Sequence, residues 1–122
     1  MSSRPRNPTP NSPANRRAQA SVFSALGDPT RLALVAKLSA GDPRSIAQLT
    51  TGSRLTRQAI TKHLRVMEHA KLVRCTHSGR ESLFTFNPKP LLELSEYIAL
   101  VSAQWDQALL RLQTFVESQP PG

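Results

Sequence analysis

Five polar residues, Arg57, Gln58, Thr61, Lys62 and Arg65, recur in this chain at spacings of one and three. On a helix that turns about 100° per residue they share one contiguous arc, and Ile60, Leu64 and Met67 take the opposite side. The chemistry open to such an arc is nucleic-acid recognition. Guanidinium and ammonium groups suit phosphate and guanine, while an amide and a hydroxyl can bond base edges in a major groove. Thr56 precedes the segment as a capping residue, and Arg54 stands close enough to add a phosphate contact.

A run of cations on a helix is more often a solvated face, with acids interspersed. Here the acids are missing. From Arg44 to Arg80 the cations are Arg44, Arg54, Arg57, Lys62, Arg65, Lys71, Arg74 and Arg80, against Glu68 alone, a balance of +7. From Pro90 to Gly122 there is Arg111 against Glu93, Glu96, Asp106 and Glu117, a balance of −3. The overall +8 is therefore polarised, with one region suited to a polyanion and another to something else.

The elements that must position these residues are legible in the spacing around them. Ala18, Val22, Phe23 and Leu26 make a first helical stripe that Gly27 ends. Asp28-Pro29 opens a second helix, with Leu32, Val35, Ala36 and Leu38 as its buried positions up to Gly41. Ser45 with Gln48 three residues on is a capping-box spacing for a short helix bearing Ile46, Ala47 and Leu49. Gly52 supplies a turn, and the segment from Thr56 follows as the second half of a helix-turn-helix.

After Leu72 the period changes. Val73 and Cys75, then the turn His77-Ser78-Gly79-Arg80, then Ser82 to Phe86 predict a hairpin with a basic tip, placed as a wing beside the helix. His77 and Arg80 are its candidate DNA contacts. From Pro90 to Ser118 one long helix is expected, its apolar positions Leu91, Leu94, Ile98, Val101, Trp105, Ala108, Leu112 and Phe115 stepping by three and four. A flank of Tyr97, Leu100, Leu109 and Val116 widens that seam beyond what one domain covers, which predicts a partner subunit.

At 122 residues and 39% hydrophobic content the chain suits a single domain with one core, residues 18–118. The first 17 residues carry Pro5, Pro8, Pro10 and Pro13 with Arg4, Arg6, Arg16 and Arg17, and read as a disordered basic tail; residues 119–122 form a short C-terminal tail. No apolar stretch is long enough to span a bilayer and the start lacks a secretory signal, so a soluble, cytoplasmic protein with no membrane partner is expected. Cys75 is alone, which excludes a disulfide within the chain. There is no nucleophile elbow, glycine-rich phosphate loop or paired-carboxylate setting, and no catalysis or cofactor is expected.

From about Ala18 to Glu117 the sequence resembles ArsR-type (ArsR/SmtB) winged-helix regulators. The residues that carry the resemblance are Ala25-Leu26-Gly27-Asp28-Pro29-Thr30-Arg31, Thr61 through Glu68, and Gly79-Arg80-Glu81. It implies a mainly α fold with a small β-hairpin, and a homodimer built on the first and last helices. It further implies repression from a double-stranded operator read by two recognition helices. The positions for DNA contact then fall on Thr56, Arg57, Gln58, Thr61, Lys62 and Arg80, and the dimer interface on Phe23, Leu94, Ile98, Val101, Trp105, Leu109 and Leu112.

The departures from the family concern metal. Ser45 to Ser53 holds no cysteine or histidine, and Pro88 to Gly122 holds no histidine, so the family's thiolate and zinc sites have no ligands here. The chain resembles the branch without a metal site. His63 is expected beneath the recognition helix or on a phosphate, and Cys75 as a small strand hydrophobe. The inducing signal, whether an organic ligand or a protein effector, stays open. So does the alternative of a winged-helix protein-interaction module without specific DNA binding.

Overall fold

Four of the five helices among the described residues start on a capping side-chain oxygen, twice followed by proline at the first helical position. The computed structural model describes residues 12–120. Helix α1 (Pro13–Leu26) begins where Ser12 Oγ accepts the Asn15 N–H at 3.1 Å. The expected start near Ala18, and with it the boundary of the tail at residue 17, therefore moves forward to Pro13. The Ser12-Pro13 pair supplies a cap and a preset φ that outweigh the polar composition. The rest of the expected tail, residues 1–11, lies outside the described residues.

Helix α2 (Pro29–Leu38) starts on Asp28, whose Oδ2 accepts the Arg31 N–H at 3.0 Å. Its buried face is Leu34 and Leu38, with Val35 half-buried. Leu32 is 53% exposed and Ala36 is exposed, so the expected stripe is rotated by part of a turn. A two-residue strand, β1 (Arg44–Ser45), precedes α3 (Ile46–Thr50). The helix α4 (Arg57–His69) follows, then β2 (Val73–Ser78), β3 (Glu81–Phe86) and the 29-residue α5 (Lys89–Glu117). The strands form one antiparallel sheet in the order β1-β3-β2, with β1 joined to β3 through Arg44↔Phe84 and Ser45↔Leu83.

The core gathers one side of every helix onto the inner face of this sheet. Leu34 and Leu38 from α2, Leu49 from α3, Ile60, Leu64 and Met67 from α4, and Phe84 from β3 are all but sealed from solvent. Val22 and Ala25 of α1 and Leu94 of α5 extend the cluster. Beyond that first portion α5 emerges from the domain: Ile98, Trp105, Leu109, Leu112 and Phe115 are exposed, as is Phe23 on α1. At about 1.5 Å rise per residue α5 is about 43 Å long. Its second half is mostly exposed among the described residues, and no helix among them is long and apolar enough to cross a membrane.

Candidate nucleic-acid interface

The helix-turn-helix is built by local chemistry. Ser45 and Gln48 form a reciprocal capping box: Ser45 Oγ accepts the Gln48 N–H at 3.2 Å, and Gln48 Oε1 accepts the Ser45 N–H at 2.9 Å. Gly52, at φ +78°, lets the chain reverse, and the Ser53 N–H donates to the Thr50 carbonyl. Thr56 Oγ1 then caps α4 by accepting the Ala59 N–H at 3.1 Å. With Ile60, Leu64 and Met67 locked in the core, the rotation of α4 about its axis is fixed.

That rotation leaves Arg57, Gln58 and Lys62 exposed, their side chains with no hydrogen bond or ion pair to other described residues. Thr61 is half-buried and its hydroxyl donates to the Arg57 carbonyl at 2.7 Å, so it offers a base edge only acceptor lone pairs and a methyl group. Arg54 and Thr56 are exposed at the helix entrance. Arg65 is engaged: its Nη1 donates to Glu68 Oε1 at 2.8 Å, and its guanidinium carbon lies 6.0 Å from the centre of the Phe84 ring. The Glu68 carboxylate pushes the Arg65 pKa further above its ordinary value through that hydrogen bond. This partnering sets Arg65 apart from the free cations of the arc.

A cluster beneath α4 fixes its angle to the first two helices. Arg31 donates from Nε to the Ala25 carbonyl at 2.6 Å, from Nη2 to Ser24, and from Nη1 to His63 Nδ1 at 3.1 Å. Asp28 Oδ2 is 3.8 Å from the same nitrogen. The Asp28 carboxyl is held below the usual carboxylate range, chiefly by the Arg31 backbone N–H and also by His63 and Arg31 nearby. His63 thus packs under the recognition helix. The role of Arg31 had no signal in spacing, since its partner lies 32 positions away.

The wing closes through a two-residue loop, Gly79-Arg80, between the facing pair Ser78↔Glu81. Gly79 at φ +61° occupies the first central position, where a tight hairpin demands glycine. Arg80 and His77 are exposed at and beside the tip; His77 Nδ1 is 3.4 Å from Ser82 Oγ. Lys71 and Arg74, which the charge balance grouped with the DNA-facing cations, lie instead at the opposite end of β2. Leu94, expected in the dimer interface, is 5% exposed within its own subunit and belongs to the core. The residues of the expected interface that face outward are Phe23, Ile98, Trp105, Leu109 and Leu112, with Val101 half-buried.

A helix-turn-helix whose second helix presents cations and an amide, flanked by a two-stranded wing, defines the winged helix-turn-helix class of DNA-binding fold. Residues 26–76 match a family model described as a helix-turn-helix domain. A relative from Bacillus subtilis, the uncharacterized HTH-type transcriptional regulator YuzN, is 38% identical over 79 residues, covering 60% of this chain and 86% of that protein. Among solved structures, an ArsR-like transcriptional regulator from Rhodococcus superposes with a TM-score of 0.80 at 30% identity, covering 89% of this chain and 99% of that one. A homodimeric winged helix-turn-helix domain from Mycobacterium bovis shares the fold at 21% identity and a TM-score of 0.58, over 79% of this chain and 85% of that domain. The chain belongs to the ArsR family of winged helix-turn-helix transcriptional regulators.

Proposed function

We propose that this regulator is a cytoplasmic homodimer that represses transcription by occupying a pseudo-palindromic operator. The observation that carries the reading is the outer face of α4. Arg57, Gln58 and Lys62 stand exposed and unpartnered on a helix whose opposite face is immobilised in the core. Side chains held that way need no reorganisation to enter a major groove, with Gln58 suited to adenine and Arg57 or Lys62 to guanine. Thr56 and Thr61 add short contacts, while Arg54 and the wing's Arg80 and His77 take backbone phosphates on either side. Arg65, tied to Glu68, contributes less than the free cations.

Dimerisation is supported by the uncovered half of α5. Trp105 at 65% exposure, with Leu109, Leu112 and Phe115 on successive turns, is more apolar surface than a lone subunit usually leaves wet. The M. bovis relative in fold is described as a homodimer. Two copies joined there would bring two recognition helices to successive major grooves.

The test is a titration of the purified chain against DNA from upstream of its own gene and against a scrambled duplex, at two salt concentrations. Tighter binding to the upstream DNA that persists at higher salt, with two chains per duplex, is the expected result. Equal binding that vanishes with salt would leave only a basic surface and favour a protein-interaction role.

A further inference from the structure

The cations at the base of the wing converge on a cavity. Lys71, Arg74 and Lys89 line a space of about 450 Å³ bounded by α1, the end of α4, the start of β2 and the first turn of α5. Arg74 sits opposite Thr85, four residues before Ser78 at the foot of the tip loop. At about 3.3 Å per residue that is roughly 13 Å from the tip, so these charges are not part of the tip contact. The first turn of α5 adds little here, since Asn87 Oδ1 accepts the Lys89 N–H at 3.4 Å, Pro90 has no N–H and the Leu92 N–H donates to the Pro88 carbonyl, so the positive charge comes from the three side chains.

Two acceptor-bearing residues, Gln19 and Glu93, belong to the same lining. Gln19 is 3% exposed; its Nε2 donates to Asn15 Oδ1 at 3.3 Å, and its Oε1 meets no donor. A buried carbonyl oxygen left without a partner is costly enough to need a reason. Glu93, on α5, brings a carboxylate with no ion pair among the described residues. The remaining wall is mixed: Val22, Ala70, Val73 and Pro90 are apolar, and Ser21, His69 and Asn87 add polar edges.

Lys71 is the least expected member. It is the non-glycine residue with positive φ, +66°, and it closes α4 in a turn where its N–H donates to Glu68 and the Leu72 N–H to Met67. Glycine is the residue that such a helix end favours. A lysine kept there brings a cation to the cavity at the expense of backbone strain.

We propose that this cavity binds a small organic acid that carries a hydrogen-bond donor beside its carboxylate. The carboxylate is held by Lys71, Arg74 and Lys89; the donor, a hydroxyl or an ammonium, is taken by Gln19 Oε1 and Glu93; the apolar body lies on Val22 and Val73. The volume suits a molecule of the size of an aromatic amino or hydroxy acid. Because its walls come from α1, α4 and α5, occupancy would bias the angle between the recognition helix and the dimer helices. That consequence for DNA affinity rests on the proposed function. Binding itself does not.

The test uses the full chain, 15N-labelled and free of DNA, titrated with L-phenylalanine, L-3-phenyllactate, 3-phenylpropionate and 2-phenylethanol. One or both of the first two should shift the Gln19 side-chain amide and the backbone amides of Lys71 and Arg74 saturably. The last two, lacking either donor or carboxylate, should bind at least tenfold more weakly. Preference for the amino acid assigns the donor pocket to an ammonium beside Glu93, and preference for the hydroxy acid assigns it to a hydroxyl on Gln19. Lys71→Gly should melt no lower than the parent yet bind at least tenfold more weakly. Gln19→Leu should erase the advantage of phenyllactate over phenylpropionate. Absence of saturable shifts for every probe, shifts confined to other surfaces, or undiminished binding by Lys71→Gly would overturn the site. With the site filled, an operator affinity changed threefold or more supports the effector role, and an unchanged affinity overturns that role while leaving the binding site standing.

Discussion

At the scale of single residues, the exposed face of α4 separates side chains that read from side chains that hold. Both Gln58 and Arg80 are exposed; in the proposed complex Gln58 pairs with a base edge, whereas Arg80 at the wing tip reaches backbone charge that every sequence carries. Gln58→Ala should therefore cost about 1–3 kcal/mol on the operator and relax preference at one position of each half-site. Arg80→Ala should weaken operator and random DNA alike, and two lost phosphate contacts per dimer should flatten the dependence of log affinity on log salt by about two. Affinity measured for both variants on both duplexes at several salt concentrations checks the pair. The Asp28 carboxyl makes a separate statement about acid. Its pKa is lowered on folding by the Arg31 amide, so its contribution to stability is full above the unfolded carboxylate range and lost as pH falls through the folded value. Asp28→Asn keeps a capping oxygen but not the charge. Denaturation curves should show the variant less stable near pH 6, with the gap closing below about pH 4. The exposed polar face of α4 was legible because a 3.6-residue period sorts it from Ile60, Leu64 and Met67. Arg31 and Gln19 were not, because one acts on a carbonyl and a histidine in other elements and the other matters only through what fails to bond it.

At the scale of elements, caps and turns carried the clearest signals. The Ser45–Gln48 capping box, the Asp28 and Thr56 caps and the Gly79 turn stand where residue types placed them. Thr56→Ala should cost about 1 kcal/mol of stability, with Thr56→Ser recovering most of it, as measured by thermal or urea unfolding without DNA. Less legible was anything decided by packing. The strand β1 has two residues and no alternation to announce it, and it exists because β3 offers Phe84 and Leu83 as partners. The face of α2 was misjudged because leucines lie on both sides of it, and only the core selects Leu34 over Leu32. Within α5 the same uncertainty split one seam between two duties. Leu94 is in the core and Trp105 and Leu112 are out of it, so substitutions should part accordingly. Trp105→Glu with Leu112→Glu should give a folded monomer by sedimentation and circular dichroism. Leu94→Glu should instead unfold the subunit, because it buries a charge without a partner.

At the scale of the whole molecule, the proposed function has affinity for an operator come from joining two modest half-site contacts through a rigid dimer. The chain holds α4 by the Arg31 and His63 contact to the first two helices and by the core beneath it, so in the proposed dimer the separation of the two reading faces would be set by the α5 pairing and not by a flexible linker. Such a dimer can engage both half-sites only when they present the same side of the duplex, with centres about 10 base pairs apart or a multiple of it. Inserting 5 base pairs between the half-sites turns one of them by about half a helical turn, to the far side of the DNA, and the dimer should fall to the affinity of a single half-site. Inserting 10 base pairs restores the facing but stretches the span by about 34 Å, which rigid subunits cannot bridge, so that duplex should stay as weak as the first. Footprinting of the three duplexes decides the matter. Protection of both half-sites on the 10-base-pair insertion would mean that the subunits are tethered more loosely than the buried first half of α5 allows, and full protection on all three would mean that each chain binds alone.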